Sequence, residues 1–124
     1  MEVLLHDREM DLMEVLWGRG SATAAEVRDT LEDDLAYNTV LTILRRMEDK
    51  GYLRHEDEGR AHRYFPLIGR EQVRASALRR LLDRVFGGSP ELLLTQLISE
   101  RKLSASQIRR LNEVLRDELP EADR

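Results

Sequence analysis

Within Tyr37–Gly51 the chain sets Asn38, Thr39, Thr42, Arg45 and Arg46 close together. Carboxamide and hydroxyl groups hydrogen-bond base edges, and guanidinium groups pair with guanine or phosphate. That chemistry recognises rather than breaks bonds. Read as a helix at about 100° per residue, Val40, Ile43, Leu44 and Met47 share one arc. Asn38, Thr42, Arg45 and Asp49 fall opposite, flanked by Thr39, Leu41 and Arg46. Short polar groups in the first turn, with arginines a turn later, suit a helix whose N-terminal half enters a DNA major groove. A surface helix with a mixed polar face is the alternative on this stretch alone.

Other reactive residue types are sparse. His55 and His62 are expected to lie opposite each other on paired strands, with Glu56 near, which makes a metal site conceivable. Structural zinc sites usually want four ligands, and the chain has no cysteine, so no metal and no cofactor are expected. No G-x-S-x-G, P-loop, H-E-x-x-H or G-x-G-x-x-G motif occurs, and no triad is visible, so no enzyme is expected. Gly87-Gly88 falls between helices, not after a strand, where a phosphate cradle would stand.

The elements that must position Tyr37–Gly51 follow from punctuation and periodicity. A first helix is predicted from His6 or Asp7 to about Trp17, with Met10, Met13 and Trp17 along its apolar stripe and Gly18 and Gly20 ending it. Thr23-Ala-Ala-Glu26 reads as a capping box with Ala22 and Val27 in the staple positions. The connection Asp33–Ala36 is short, which is the helix-turn-helix arrangement. After Gly51, strands over Tyr52–Glu56 and Ala61–Phe65 are predicted to flank a turn at Asp57–Gly59. This hairpin is a wing, with Arg60 near its tip and Arg63 on a flank. Beyond a boundary near Leu67–Arg70, amphipathic helices are predicted over 71–86, 92–98 and 104–119. Three such helices are too few to cover their own apolar faces. They are expected to pack against a second copy, or else to close over the winged part.

The chain has 124 residues and a net charge of −4, which taken alone disfavours nucleic acid as a partner. The distribution is uneven: residues 1–36 carry a net −7, residues 37–63 a net +1 and residues 64–124 a net +2. No apolar run approaches the roughly 18 residues of a membrane helix, and no signal peptide is visible. A cytoplasmic location and no membrane association are expected.

Several motifs together carry a resemblance: Glu9, Met13 and Trp17 at four-residue spacing; Thr23-Ala-Ala-Glu26-Val27; Tyr37-Asn38-Thr39-Val40 with Thr42, Leu44, Arg46-Met47 and Lys50-Gly51; Gly59-Arg60-Ala61 with Tyr64 and Pro66; and Phe86-Gly-Gly-Ser89. The chain resembles the BlaI/MecI-type bacterial winged-helix repressors from about Leu5 to Leu119. The resemblance implies a homodimer that represses resistance or stress-response genes, with an N-terminal winged helix on DNA and C-terminal helices pairing the copies. By position, Asn38, Thr39, Thr42 and Arg46 look like the recognition-helix contacts, and Arg60 like the wing residue. Asn38 stands where the family commonly has Lys. Some members are inactivated by a sensor protease at an Asn–Phe bond, so a regulatory protease is a further implied partner. The pair at that place here is Gln96–Leu97. A copper-responsive branch uses C-terminal cysteine pairs, which this chain lacks.

The expected fold is mainly α with a small β-hairpin: a winged helix-turn-helix DNA-binding domain over 1–68, then a helical dimerisation domain over 69–124. The expected function is a sequence-specific repressor acting as a homodimer on a palindromic operator in double-stranded DNA. The alternative is a winged-helix protein-interaction module without DNA binding. The DNA-facing set is Tyr37, Asn38, Thr39, Leu41, Thr42, Arg45, Arg46 and Lys50 on the helix, with Arg60 and Arg63 on the wing. The dimerisation set is Leu78, Leu81, Leu82, Val85 and Phe86, then Leu93, Leu94 and Leu97, then Ile108, Leu111 and Leu115.

Overall fold

The computed structural model describes residues 1–119. In chain order its elements are α1 (Asp7–Arg19), β1 (Ala22–Thr23), α2 (Ala24–Thr30), α3 (Tyr37–Asp49), β2 (Leu53–Glu58), β3 (Ala61–Pro66), α4 (Arg70–Val85), α5 (Pro90–Ser99) and α6 (Ala105–Glu118). The fold is mostly helical, with a three-stranded antiparallel sheet in the order β1-β3-β2. Met1–Leu78 form one compact unit and the chain from Arg79 onward a second, the division falling within α4.

In the first unit, α1 starts where Glu9 accepts the His6 amide at 2.9 Å. It stops where Gly20, at φ 86°, donates its amide to the Leu16 carbonyl; glycine reaches this conformation without a Cβ clash. The α2 capping box is reciprocal: Thr23 Oγ1 accepts from the Glu26 amide at 3.2 Å, and Glu26 Oε1 accepts from the Thr23 amide at 2.9 Å. In α3, Val40, Ile43, Leu44 and Met47 are buried, the arc that the helical phase selects. They pack with Leu12, Met13 and Leu16 of α1, Val27 of α2, and Tyr52, Leu53 and Tyr64 at the hairpin base. Each such large apolar side chain contributes about 1.5–3 kcal/mol by leaving water.

The sheet departs from the sequence expectation in two ways. Ala22 and Thr23 form β1, facing Tyr64 and Arg63 of β3. Two residues cannot display the alternation that marks a strand in sequence. In the hairpin, His55 stands opposite Tyr64, and His62 opposite Asp57. The strands run on to Glu58 and Ala61 and leave only Gly59-Arg60 between them. The turn thus sits further along than Asp57–Gly59, and the two histidines are diagonal neighbours rather than a directly opposed pair.

From Arg79 onward, α5 begins at Pro90 rather than Leu92, with Ser89 Oγ accepting the Leu92 amide at 3.2 Å. Proline is at home in the first helical position, where no intrahelical N–H is needed. The start of α6 repeats the capping box: Ser104 Oγ accepts from Gln107, and the Gln107 side chain accepts from Ser104.

Candidate nucleic-acid interface

Asn38, Thr39, Thr42, Arg45 and Arg46 are all exposed on α3. Asn38, Thr39, Thr42 and Arg46 form one wall of an open groove of about 500 Å³, and His6, Arg8 and Glu9 at the start of α1 form the other. His6 and Arg8 were not among the expected site residues, because only the packing of α1 beside α3 brings them there. Arg8 is already engaged by Asp33 and Asp11, and its pKa is raised chiefly by the hydrogen bond to Asp33. Thr42 Oγ1 donates to the Asn38 carbonyl at 2.8 Å, which spends its proton and leaves the oxygen able to act as an acceptor. The α3 N-cap is Ala36, with no side-chain cap, so the first-turn amides have no internal acceptor of that kind.

The cations of this region differ in what already holds them. Lys50 Nζ lies 2.9 and 3.1 Å from the two Glu9 oxygens. Glu9 is only 3% exposed. Burial pushes its carboxyl up, but the His6 amide and the Lys50 ammonium together outweigh that, and it rests below the usual carboxylate range. Lys50 therefore ties the end of α3 to the start of α1. Arg63 donates to Glu58 at 2.9 and 3.0 Å and to Ser21 at 3.3 Å, and pairs with Glu26 at 3.0 Å. The bonds to Glu58, first, and to Glu26 push its pKa further up. Arg63 thus bolts the hairpin to the α2 cap. Arg54 pairs with Glu56 at 2.8 Å and lies 4.2 Å from the centre of the Phe65 ring. Among the described residues, Arg45, Arg46 and Arg60 have no carboxylate partner. Arg45 lies beside Tyr64, whose hydroxyl is pushed up by burial and by the Glu48 charge. Arg60 occupies the hairpin tip after Gly59, whose φ of 64° makes the tight turn.

Tyr37, Leu41, Arg45, Arg60, His62 and Tyr64 meet around a small cavity of about 160 Å³ between α2, α3 and β3. Leu41 is half-buried against the core, where helical phase alone puts it on the outer side. Tyr37 sits at its exposed edge, with the Arg28 guanidinium 5.8 Å above its ring.

On the helices that follow, Leu78, Leu81 and Val85 of α4, Leu94 of α5, and Ile108, Leu111 and Leu115 of α6 are exposed. Leu82, Phe86, Leu93 and Leu97 are half-buried. Leu92, Ile98 and Val114 add exposed apolar surface beyond the expected set. Among the described residues no helix is long and apolar enough to cross a membrane.

Comparison with known proteins gives this geometry a context. The family model described as penicillinase repressor matches residues 5–117. The penicillinase repressor of Bacillus licheniformis is 27% identical over 115 residues, 91% of this chain and 90% of that protein. The transcriptional regulator BlaI of Mycobacterium tuberculosis is 38% identical over 77 residues, 60% of this chain and 56% of that protein. The solution structure of the DNA-binding domain of the repressor BlaI superposes with a TM-score of 0.52 at 31% identity, covering 58% of this chain and 90% of that one. The Bacillus licheniformis BlaI monomeric form in complex with the blaP half-operator gives 0.50 at the same identity and coverage. The helix-turn-helix and its wing are thus the architecture of a solved DNA-binding domain, and the match runs on through α4, α5 and most of α6: the chain belongs to the penicillinase repressor family of transcriptional repressors.

Proposed function

We propose that the chain is a homodimeric, sequence-specific DNA-binding repressor that reads a palindromic operator with α3 in the major groove. The carrying observation is the outer face of α3: Asn38, Thr39, Thr42 and Arg46 line one open groove, and Arg46 has no carboxylate partner among the described residues. Arg60 at the hairpin tip extends this face toward an adjacent backbone or minor groove. Arg45 and Tyr37 border it. Lys50 and Arg63 support it from behind by holding α3 and the wing in place. The exposed leucines of α4, α5 and α6 support pairing with a second copy, since large uncovered apolar patches mark interaction surfaces. Two-fold pairing would present two α3 helices to half-sites about 10 bp apart or a multiple of it.

Inactivation by a protease is a route that some relatives take at an Asn–Phe bond, and Gln96–Leu97, the pair at that place here, departs from it. Both residues lie inside α5, and the Gln96 carbonyl accepts the Glu100 amide at 2.9 Å. Cleavage there therefore needs α5 to unwind first.

The acidity of residues 1–36 favours a second reading, an interaction module without DNA binding. Selection from a pool of random double-stranded DNA separates the two. The repressor reading expects enrichment of an inverted repeat and a mobility shift on it. A pool that stays unenriched at low salt would leave the interaction module.

A further inference from the structure

Two of the three histidines of the chain, His55 and His62, share one face of the β2–β3 hairpin. Their rings lie 4.1 Å apart, edge to face. Asp57 is the register partner of His62, with Oδ1 3.6 Å from its Nδ1. One ligand atom from each of His55, Asp57 and His62 lies within 4.8 Å of the other two. On the α3 side, Glu48 Oε2 is 2.6 Å from His55 Nδ1. An ionised carboxylate only accepts, so Nδ1 carries the proton and Nε2 of neutral His55 keeps its lone pair. The buried Tyr64 ring, 5.8 Å from His55 and 6.4 Å from His62, forms the floor. Glu56, the acid that the sequence offered, faces the other side of the hairpin and pairs with Arg54.

We propose that His55, Asp57 and His62 form a binding site for a divalent first-row transition ion such as zinc. Two imidazoles and a carboxylate are a donor set such ions take, with water in the open position. Hard cations prefer all-oxygen shells, so magnesium and calcium fit poorly. The Glu48–His55 bond is the carboxylate contact that orients a metal-bound imidazole and raises its basicity. Closing the three ligands onto one ion at roughly 2.0–2.2 Å per bond requires rotation of exposed side chains, Asp57 and His62, while the strand register fixes their spacing. The ion joins the outer half of the wing to its base and, through Glu48, to α3. Resting on the DNA-binding reading above, it also adds positive charge next to Arg45 and Arg60, which share a cavity with His62.

Titrating the full chain with zinc chloride by calorimetry, in chelator-free buffer, tests the site. One ion per chain is expected. Affinity should fall at least about tenfold in His55→Ala and in His62→Ala, and about 10–100-fold in Glu48→Ala. Glu56→Ala, on the opposite face, should bind as wild type does. Circular dichroism checks that each variant is folded. No uptake by wild type, or undiminished uptake by a folded His55→Ala/His62→Ala double variant, would overturn the site. In a second arm zinc should tighten binding of wild type, but not of the double variant, to the selected DNA. Zinc uptake without any DNA binding would sink the DNA reading and leave the ion site standing; DNA binding without zinc uptake would do the reverse.

Discussion

Arg46 and Arg63 are separated less by sequence than by what already holds them. Arg46 looks into the groove beside Asn38 and Thr42, while Arg63 is occupied by Glu58 and Glu26. Arg46→Ala is expected to weaken operator binding by about 1–3 kcal/mol if the side chain pairs a guanine. If it meets phosphate, affinity should drop alike on all sequences and the salt slope should lose about one. Binding isotherms at several salt concentrations distinguish these outcomes, and unchanged affinity would remove Arg46 from the interface. Arg63→Ala should leave the salt slope alone and speed amide exchange in β2 and β3, because it loosens the wing. Glu9 offers a pH test. Its folded pKa lies below the ordinary value of 4.5, so the carboxylate contributes stability above that pH and loses it as pH falls through the folded value. Urea unfolding across this acid range should show a shallower decline for Glu9→Gln than for wild type. Helical phase sufficed to place Thr42 and Arg46 outward. It could not assign Lys50 or Arg63 an internal partner, since those acids arrive through tertiary packing, Glu9 from 41 residues upstream.

At the scale of elements, the parts written in local chemistry were legible. The capping boxes at Thr23–Glu26 and Ser104–Gln107 fix two helix starts, and the apolar arc of α3 fixes its buried face. β1 was not legible, because its two residues form a strand only by pairing with β3. Nor was the hairpin register, because Asp57 and Gly59 both suit a turn and only the pairing of Glu58 with Ala61 confines it to Gly59-Arg60. Leu41 illustrates the same limit, since the hairpin and α2 decide whether that side of α3 is covered. Leu41→Ala is accordingly expected to cost about 1–2 kcal/mol of stability, less than a fully buried leucine because part of its surface is already wet. Denaturant midpoints measure this. Unchanged stability with lost discrimination at one A·T position would instead identify a contact to a thymine methyl.

At the scale of the whole molecule, the first unit holds the buried core, and most of the uncovered leucines lie on α4, α5 and α6. A chain ending at Leu78 is expected to stay folded and to bind the operator far more weakly, because pairing raises the effective concentration of the second head. A Leu81→Glu/Leu111→Glu double variant should do the same without shortening the chain, and sedimentation should report its mass as that of one copy. A full-length protein that is monomeric at micromolar concentration and still binds the inverted repeat tightly would refute the paired model, and the tail would then be a cover within one chain.

The internal engagement of Lys50, Arg54 and Arg63 also bears on how such a protein would find its site in a genome. Residues 37–63 carry six cations, and only Arg45, Arg46 and Arg60 lack a carboxylate partner among the described residues. Attraction to arbitrary DNA grows with the number of phosphates neutralised, and it is that attraction which lets a protein slide along the duplex. On the DNA-binding reading, a head with so few uncommitted charges would spend little time on random sequence. It would search mostly by repeated encounter from solution, and residence at the operator would depend on base contacts and on the second head.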